Sequence, residues 1–299
     1  MAVTFMQQEG APQILAPHAA ADLLTVAPLT DADESETLAF LSAHPVHTVV
    51  MSSFIRDNGL ESSLNRGTFY GCRDACGQLV GVALIGHATL IETDDEQAFA
   101  TFARLARESV SVYLIHGERG RVQRFWRHYE PWGRRPRRIT HELMLEQRPP
   151  VVVHEPVRGL RLAESADLEQ LVTVNAEMIE AECGINPLTR DAIGFRVRLL
   201  RRIEQGRVWV WVRQGKLIFK VDVVGDTPAA VYLEGVWVHP EERGRGYGLR
   251  CMSQLGRTLL AHTETVCLVV GADAMTTQAF YRKAGYKASA HYDTIYLHT

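Results

Sequence analysis

The segment VHPEERGRGYGLRCM, residues 238–252, gathers the residues best able to do chemistry together. Gly244, Gly246 and Gly248 lack a β-carbon, so backbone N–H groups there can point into one concavity and approach an anion closely. Just beyond the loop, Leu249, Met252, Leu255, Leu259 and Leu260 recur on one helical face. The loop, with Tyr247 inside it, therefore leads into a helix N-terminus, whose unsatisfied amides and positive dipole end favour negative charge. Arg243 and Arg245 add permanent charge on forked donors. The chemistry is that of a phosphate cradle. Two better-known cradles are excluded. No Lys-Ser/Thr pair follows, as a Walker A loop needs, and neither the glycine spacing nor the antiparallel-looking setting fits a dinucleotide-binding turn.

These residues resemble the GNAT superfamily of acyl-CoA-dependent N-acetyltransferases. Its Arg/Gln-x-x-Gly-x-Gly/Ala signature is matched by Arg243, Gly246 and Gly248, and the Val-x-Pro-x-x-Arg that commonly precedes it by Val238, Pro240 and Arg243. A downstream signature, Ala-x-x-Phe-Tyr-x-Lys-x-Gly-Phe/Tyr, is matched at Phe280, Tyr281, Lys283, Gly285 and Tyr286. The two motifs are separated by the expected helix and strand, and the resemblance covers roughly residues 157–299. The whole chain is similar to tandem proteins in which a degenerate GNAT-like half precedes an intact one. The sequence departs from the pattern at Ala274, where the family often has Asn, and at Thr277, where it has Ala.

The resemblance implies acetyl-CoA as cosubstrate and an amine as acceptor. The backbone of the Val236-Trp237-Val238 segment would pair with the pantetheine arm. The loop of Arg243, Gly244, Arg245, Gly246, Tyr247 and Gly248 would hold the pyrophosphate. Tyr281 would return a proton to the departing thiolate. Amine acylation also needs a base near the amine and a polarised carbonyl. A backbone N–H at Val238 can do the polarising. Glu234, a carboxylate inside an otherwise apolar strand, is the first candidate base; facing solvent or pairing with an Arg is the competing account of it. A regular strand puts Glu234 on the side of Val236, whereas a bulge at Gly235 reverses that parity. Asp222, Glu180 and Glu182 are the other candidates.

Elements must hold these residues in place. In the second half the order is a short strand GLRLAE, two helices, a hairpin turning at Gln214-Gly215, the strand AAVYLEGVWVHP, the helix after the loop, the apolar strand TVCLVVGA and the short helix TTQAFYRKAGY. Two closing strands, YKASA and YDTIYL, are expected. The first half repeats much of this order. SVYLIHGERGRVQRFWRHY, residues 111–129, sets beside TVCLVVGADAMTTQAFYRKAGY, residues 265–286. In place of a glycine loop, however, the first half has Glu92, Asp94, Asp95 and Glu96, carboxylates that repel a pyrophosphate. Pro149, Pro150 and Pro156 mark the boundary. The expected organisation is a loosely ordered stretch 1–20, a degenerate GNAT-like domain 21–148, a linker 149–158 and a catalytic domain 159–299. The fold class is α/β of the α+β type: two GNAT-like domains, each a mixed, mostly antiparallel sheet flanked by helices.

With 299 residues, 46% apolar and 22% charged, the chain is ordinary for a folded protein of two domains. The net charge of −3 gives no hint of nucleic acid or membrane as partner. GRRPRRI, residues 133–139, is a cationic run read as a solvated loop, without the aromatic platform of a nucleic-acid reader. Five scattered cysteines form no disulfide framework and are expected as free thiols. No His spacing suits a metal. No signal peptide or apolar span is seen, which makes the cytoplasm the expected compartment. The expected function is acetyl transfer from acetyl-CoA to an amine by direct attack, in a monomer or homodimer. A non-catalytic acyl-CoA sensor and a transferase acting on a macromolecule are the alternatives.

Overall fold

Among the described residues, each half of the chain supplies six strands. The first half gives β1 (Thr25–Pro28), β2 (Gly67–Arg73), β3 (Leu79–Gly86), β4 (Ala88–Thr93), β5 (Leu114–Glu118) and β6 (Pro136–Gln147). The second gives β7 (Leu160–Leu162), β8 (Val208–Arg213), β9 (Lys216–Asp226), β10 (Ala230–Val238), β11 (Thr265–Gly271) and β12 (Lys287–Leu297). The computed structural model describes residues 24–298, so the expected loose stretch 1–20 lies outside the described residues. The strands form one sheet in the order β1-β2-β3-β4-β5-β12-β6-β11-β10-β9-β8-β7. It is mostly antiparallel; β4–β5 and β10–β11 run parallel.

The centre of that order is an exchange. β12 pairs with β5 of the first half, and β6 pairs with β11 of the second, while β6 and β12 pair with each other. Each half thus completes the other's sheet. Two sequence expectations change here. β12 is one strand rather than two, with a register shift between Ala288 and Ala290, inside the first of the two expected strands. The cationic run is not a free loop either. Its second part opens β6, Arg134 donates to the carbonyls of Val112 and His298, and Arg138 donates to that of Glu182. Backbone acceptors engage these guanidinium groups, Arg134 half-buried and Arg138 at the exposed start of the strand.

The helices are α1 (Glu34–Leu41), α2 (Val49–Asn58), α3 (Glu96–Glu108), α4 (Arg119–Tyr129), α5 (Leu168–Cys183), α6 (Pro187–Glu204), α7 (Tyr247–Leu259) and α8 (Met275–Lys283). On one face of the second half, Leu255 and Leu259 of α7 and Tyr281 of α8 pack against Val231, Leu233, Val266 and Leu268. On the other face, Leu171 of α5 and Leu199 and Ile203 of α6 pack against Val208, Val210 and Leu217. The helix α2 belongs to the first half by sequence but docks on this second face. Val49 packs with Ala230 and Tyr232, Ser53 Oγ accepts from the Asp226 N–H at 3.0 Å, and both Asp57 oxygens accept from Arg207 at 2.9 Å. The segment joining β6 to β7 is tied to α7: Gln254 Oε1 accepts from the Val157 N–H at 2.7 Å, and Arg250 donates to the carbonyls of Glu155 and Pro156. Among the described residues no helix is long and apolar enough to cross a membrane.

Candidate active site

The parallel pair β10–β11 holds together only at Ala230–Thr265, Val231–Val266 and Tyr232–Cys267. Beyond it, β10 continues against β9 as far as Val238–Phe219, and β11 continues against β6 as far as Gly271–Glu142. The facing edges of β10 and β11 are therefore left without a strand partner. The His239 N–H donates to Ile218 on β9. By strand alternation, the peptide groups of Val238 and Val236 point the other way, into the gap.

One residue sets the geometry of that gap. Gly235 has φ +59°, and the register slips by one residue between Glu234–Asp222 and Trp237–Lys220. This is a β-bulge, and it reverses the parity of everything after it. Before the bulge, Val231 and Leu233 face α7 and α8; after it, Val236 and Val238 do so. Alternation from Leu233 sends Glu234 to the opposite face, where α5 and α6 pack. Trp237 also turns that way, packing with Leu171 and Val210 and lying edge-on to His239 at 5.6 Å. The structure thus gathers Val236, Val238 and Tyr281 on one face and puts Glu234 on the other, at the same open edge.

Glu234 is open to solvent yet surrounded by other chain segments, and its carboxylate makes no hydrogen bond among the described residues. Loss of hydration pushes its carboxyl up to about 7, helped by the nearby carboxylates of Glu182, Asp222 and Glu142 and opposed by Arg202. The other candidate carboxylates are engaged. Asp222 Oδ2 accepts from Lys220 at 2.8 Å and from Arg202 at 3.4 Å. Glu180 Oε2 accepts from Asn186 at 3.0 Å, and Glu182 Oε1 accepts from the Tyr296 hydroxyl at 3.1 Å.

Tyr281 is buried between the rings of Phe280, 5.0 Å away, and Tyr286, 5.6 Å away. Its hydroxyl has no hydrogen-bond partner among the described residues, and burial raises its pKa, so it carries its proton throughout the physiological range. Cys251, on α7, is fully buried and its thiol is pushed up to about 12, which leaves it no thiolate to use as a nucleophile. Ala274 is the N-cap of α8 and provides no side-chain bond; Gln278 instead donates to the carbonyls of Gly271 and Ala272, 2.9 Å each.

The glycine loop divides its work. Gly244 (φ +75°) and Gly246 (φ +76°) have only open space where a β-carbon would stand. Gly246 is the N-cap of α7 and no side chain caps the helix, so its first amides are left for an outside acceptor. Gly248 instead allows close packing, since a β-carbon there would stand 3.0 Å from Val238 and 3.3 Å from Phe280. Of the cations, Arg243 donates through Nε to the Val238 carbonyl at 3.1 Å, and Arg245 pairs with Glu242 at 3.0 Å. Tyr247 packs edge-on to Trp211 at 5.0 Å and accepts from Arg213 at 3.2 Å. A loop with an uncapped helix start and two empty β-carbon positions fits a bound diphosphate.

Residues 204–288 match the sequence profile of the acetyltransferase (GNAT) domain. This stretch is a GNAT acetyltransferase domain. The family transfers acyl groups from acyl-CoA. No curated protein matches the chain by sequence. The whole chain is similar in fold to a Drosophila protein (TM-score 0.64, 14% identity, covering 93% of this chain and 99% of that one). It is similar to a tandem GNAT protein from the clavulanic acid biosynthesis pathway (0.59, 14%, 91% and 98%). A GCN5-related N-acetyltransferase from Sphaerobacter thermophilus is also similar (0.55, 15%, 91% and 94%). At such identities the likeness is one of fold.

Several groups at the GNAT site were not singled out from sequence. Glu142 on β6 accepts from Thr294 at 2.9 Å, and burial raises its pKa. Arg202 reaches Asp222 from α6, and Tyr296 reaches Glu182 from β12. Lys220 is wholly buried beneath the bulge. Its sequence signal was available: a charge inside the apolar run KLIFKVDVV, the same kind of signal that drew attention to Glu234.

Proposed function

We propose that this protein moves an acetyl group from acetyl-CoA to an amine by direct attack, without a covalent enzyme intermediate. The observation that carries the proposal is the bulge at Gly235, which puts Glu234 on one face of an open strand edge and Val236, Val238 and Tyr281 on the other. Donor and acceptor can then approach the edge from opposite faces. In this reading the loop Arg243–Gly248 and the uncapped start of α7 hold the diphosphate. The peptide groups of Val236 and Val238 face the pantetheine amides, the Val238 carbonyl also accepting from Arg243, with Trp237 contributing its backbone between them. The Val238 N–H polarises the thioester carbonyl. Glu234 takes the proton the amine must lose as the N–C bond forms. As the C–S bond breaks, Tyr281 gives its proton to the leaving sulfur and regains one from water. Action in the cytoplasm, as a monomer or homodimer, is part of the same proposal.

Thermal shift with acetyl-CoA, followed by thiol release over a panel of spermidine, tyramine, glucosamine and a lysine peptide, tests it. The expected result is stabilisation by acetyl-CoA and turnover on at least one amine. Binding without turnover on any of them would favour a sensor. Arg134 and Arg138 already donate to backbone carbonyls of this chain, which leaves them fewer donors with which to grip a macromolecule.

A further inference from the structure

Lys220 is an unusual choice for this chain. The sequence has 28 Arg and 4 Lys, and among the described residues Lys220 is the one Lys or Arg that is buried. Its ammonium bonds Asn175 Oδ1 at 2.6 Å and Asp222 Oδ2 at 2.8 Å. It also lies under the bulge: a β-carbon on residue 235 would stand 2.7 Å from Nζ and 3.2 Å from Asp222 Oδ2. A planar guanidinium is far larger than a compact ammonium, so Arg is a poor substitute at this spot.

The register explains what such a charge is for. Glu234 and Asp222 are directly paired across β10 and β9, so their side chains leave the sheet on the same face. Like charges directly opposite each other are destabilising, and the second would stay protonated unless the first is neutralised. Arg202 approaches Asp222 from α6 at 3.4 Å but is well exposed. Lys220 is closer and dry. The other charges near Glu234 are the carboxylates of Glu182 at the end of α5 and Glu142 on β6, and both oppose its ionisation.

We propose that Lys220 is a positioning residue: by neutralising Asp222 and filling the space beneath Gly235, it lets Glu234 stand as a carboxylate at the open edge. The proposal rests on Glu234 being the base. Its test reads the protonation of Glu234 without turnover, as the carboxyl band in infrared difference spectra between the protein and its Glu234→Gln variant, titrated with pH.

Removing the ammonium leaves only the exposed Arg202 against the negative charge of Asp222, so Lys220→Met should move the Glu234 midpoint up by about one unit from its value near 7. Lys220→Met with Asp222→Asn removes both charges and should return the midpoint to within about 0.3 unit of the parent. Loss of packing alone moves neither. Should Lys220→Met fail to fold, Lys220→Gln keeps a donor for Asp222 without the charge and carries the same expectation. An unmoved midpoint in the single variant, or a double variant that stays with the single one, overturns the proposal. Full turnover in Glu234→Gln instead overturns the base assignment, and does so independently of the midpoint.

Discussion

Two helices begin where a strand leaves a splayed parallel pair: α3 after β4 in the first half, α7 after β10 in the second. β4 and β5 pair only at Ala88–Leu114 and Thr89–Ile115, much as β10 and β11 pair only at their starts. In the first half the equivalent places are occupied from within. Asp95 caps α3, accepting from the Ala98 N–H at 2.8 Å, and Glu92 at the end of β4 is bridged by Arg121 and His44 at 3.0 Å each. In the second half Gly246 leaves α7 uncapped and the Glu234 carboxylate has no hydrogen-bond partner among the described residues. One architecture is thus self-satisfied in one copy and, in the other, has groups to spare for outside molecules. What distinguishes them is a few side chains together with the Gly235 bulge and the longer glycine-bearing connection before α7.

Four experiments press on that contrast. The largest effect is expected from Glu234→Gln, which should lower kcat by about a hundredfold or more. In the parent, Glu234 acts deprotonated and its carboxyl is pushed up to about 7, so kcat should climb between about pH 6 and 8 and then level. The variant should lose that climb; a kcat–pH profile checks both. Next, Gly246→Glu gives α7 a carboxylate like the one α3 already has and should weaken acetyl-CoA binding by about a hundredfold, read by calorimetry. Unchanged binding would remove the loop from the cofactor site. Tyr281→Phe should cost kcat about tenfold or more with little change in KM for acetyl-CoA; a rise in KM alone would make the ring a packing group. The smallest effect belongs to Asp95→Ala, which removes a cap worth about 1 kcal/mol. It should lower Tm by a few degrees and leave acetyl-CoA affinity alone. If it created a second acetyl-CoA site, the cap would be all that separates the halves.

Local constraints were the most legible in the sequence. The Gly244–Gly248 loop could be read because two of its glycines take φ values that other residues avoid, a demand that leaves its mark at single positions. The hairpin at Gln214-Gly215 was legible for the same reason, both residues having positive φ. Gly235 was visible as a candidate bulge, but the consequence for Glu234 depended on whether the register slipped, and register belongs to the strand pair. The exchange of β6 and β12 was hidden further. Nothing in PRRITHELMLEQ says that its neighbours are β11 and β12, and the arginines at its start drew the eye to charge instead of strand. Lys220 was overlooked because its meaning lies in its neighbours: Asn175 on α5, Asp222 two residues on, and a glycine across the sheet.

The crossed ends of the sheet also impose a timetable on synthesis. β5 is made early, yet the strand that covers its open edge begins only at Lys287. Until β12 leaves the ribosome, the first half carries a bare row of peptide donors and acceptors, the kind of edge that recruits stray strands. Maturation of the first half therefore waits on the translation of the second, and a ribosome that stops short of Lys287 releases a chain in which β5 keeps an uncovered edge.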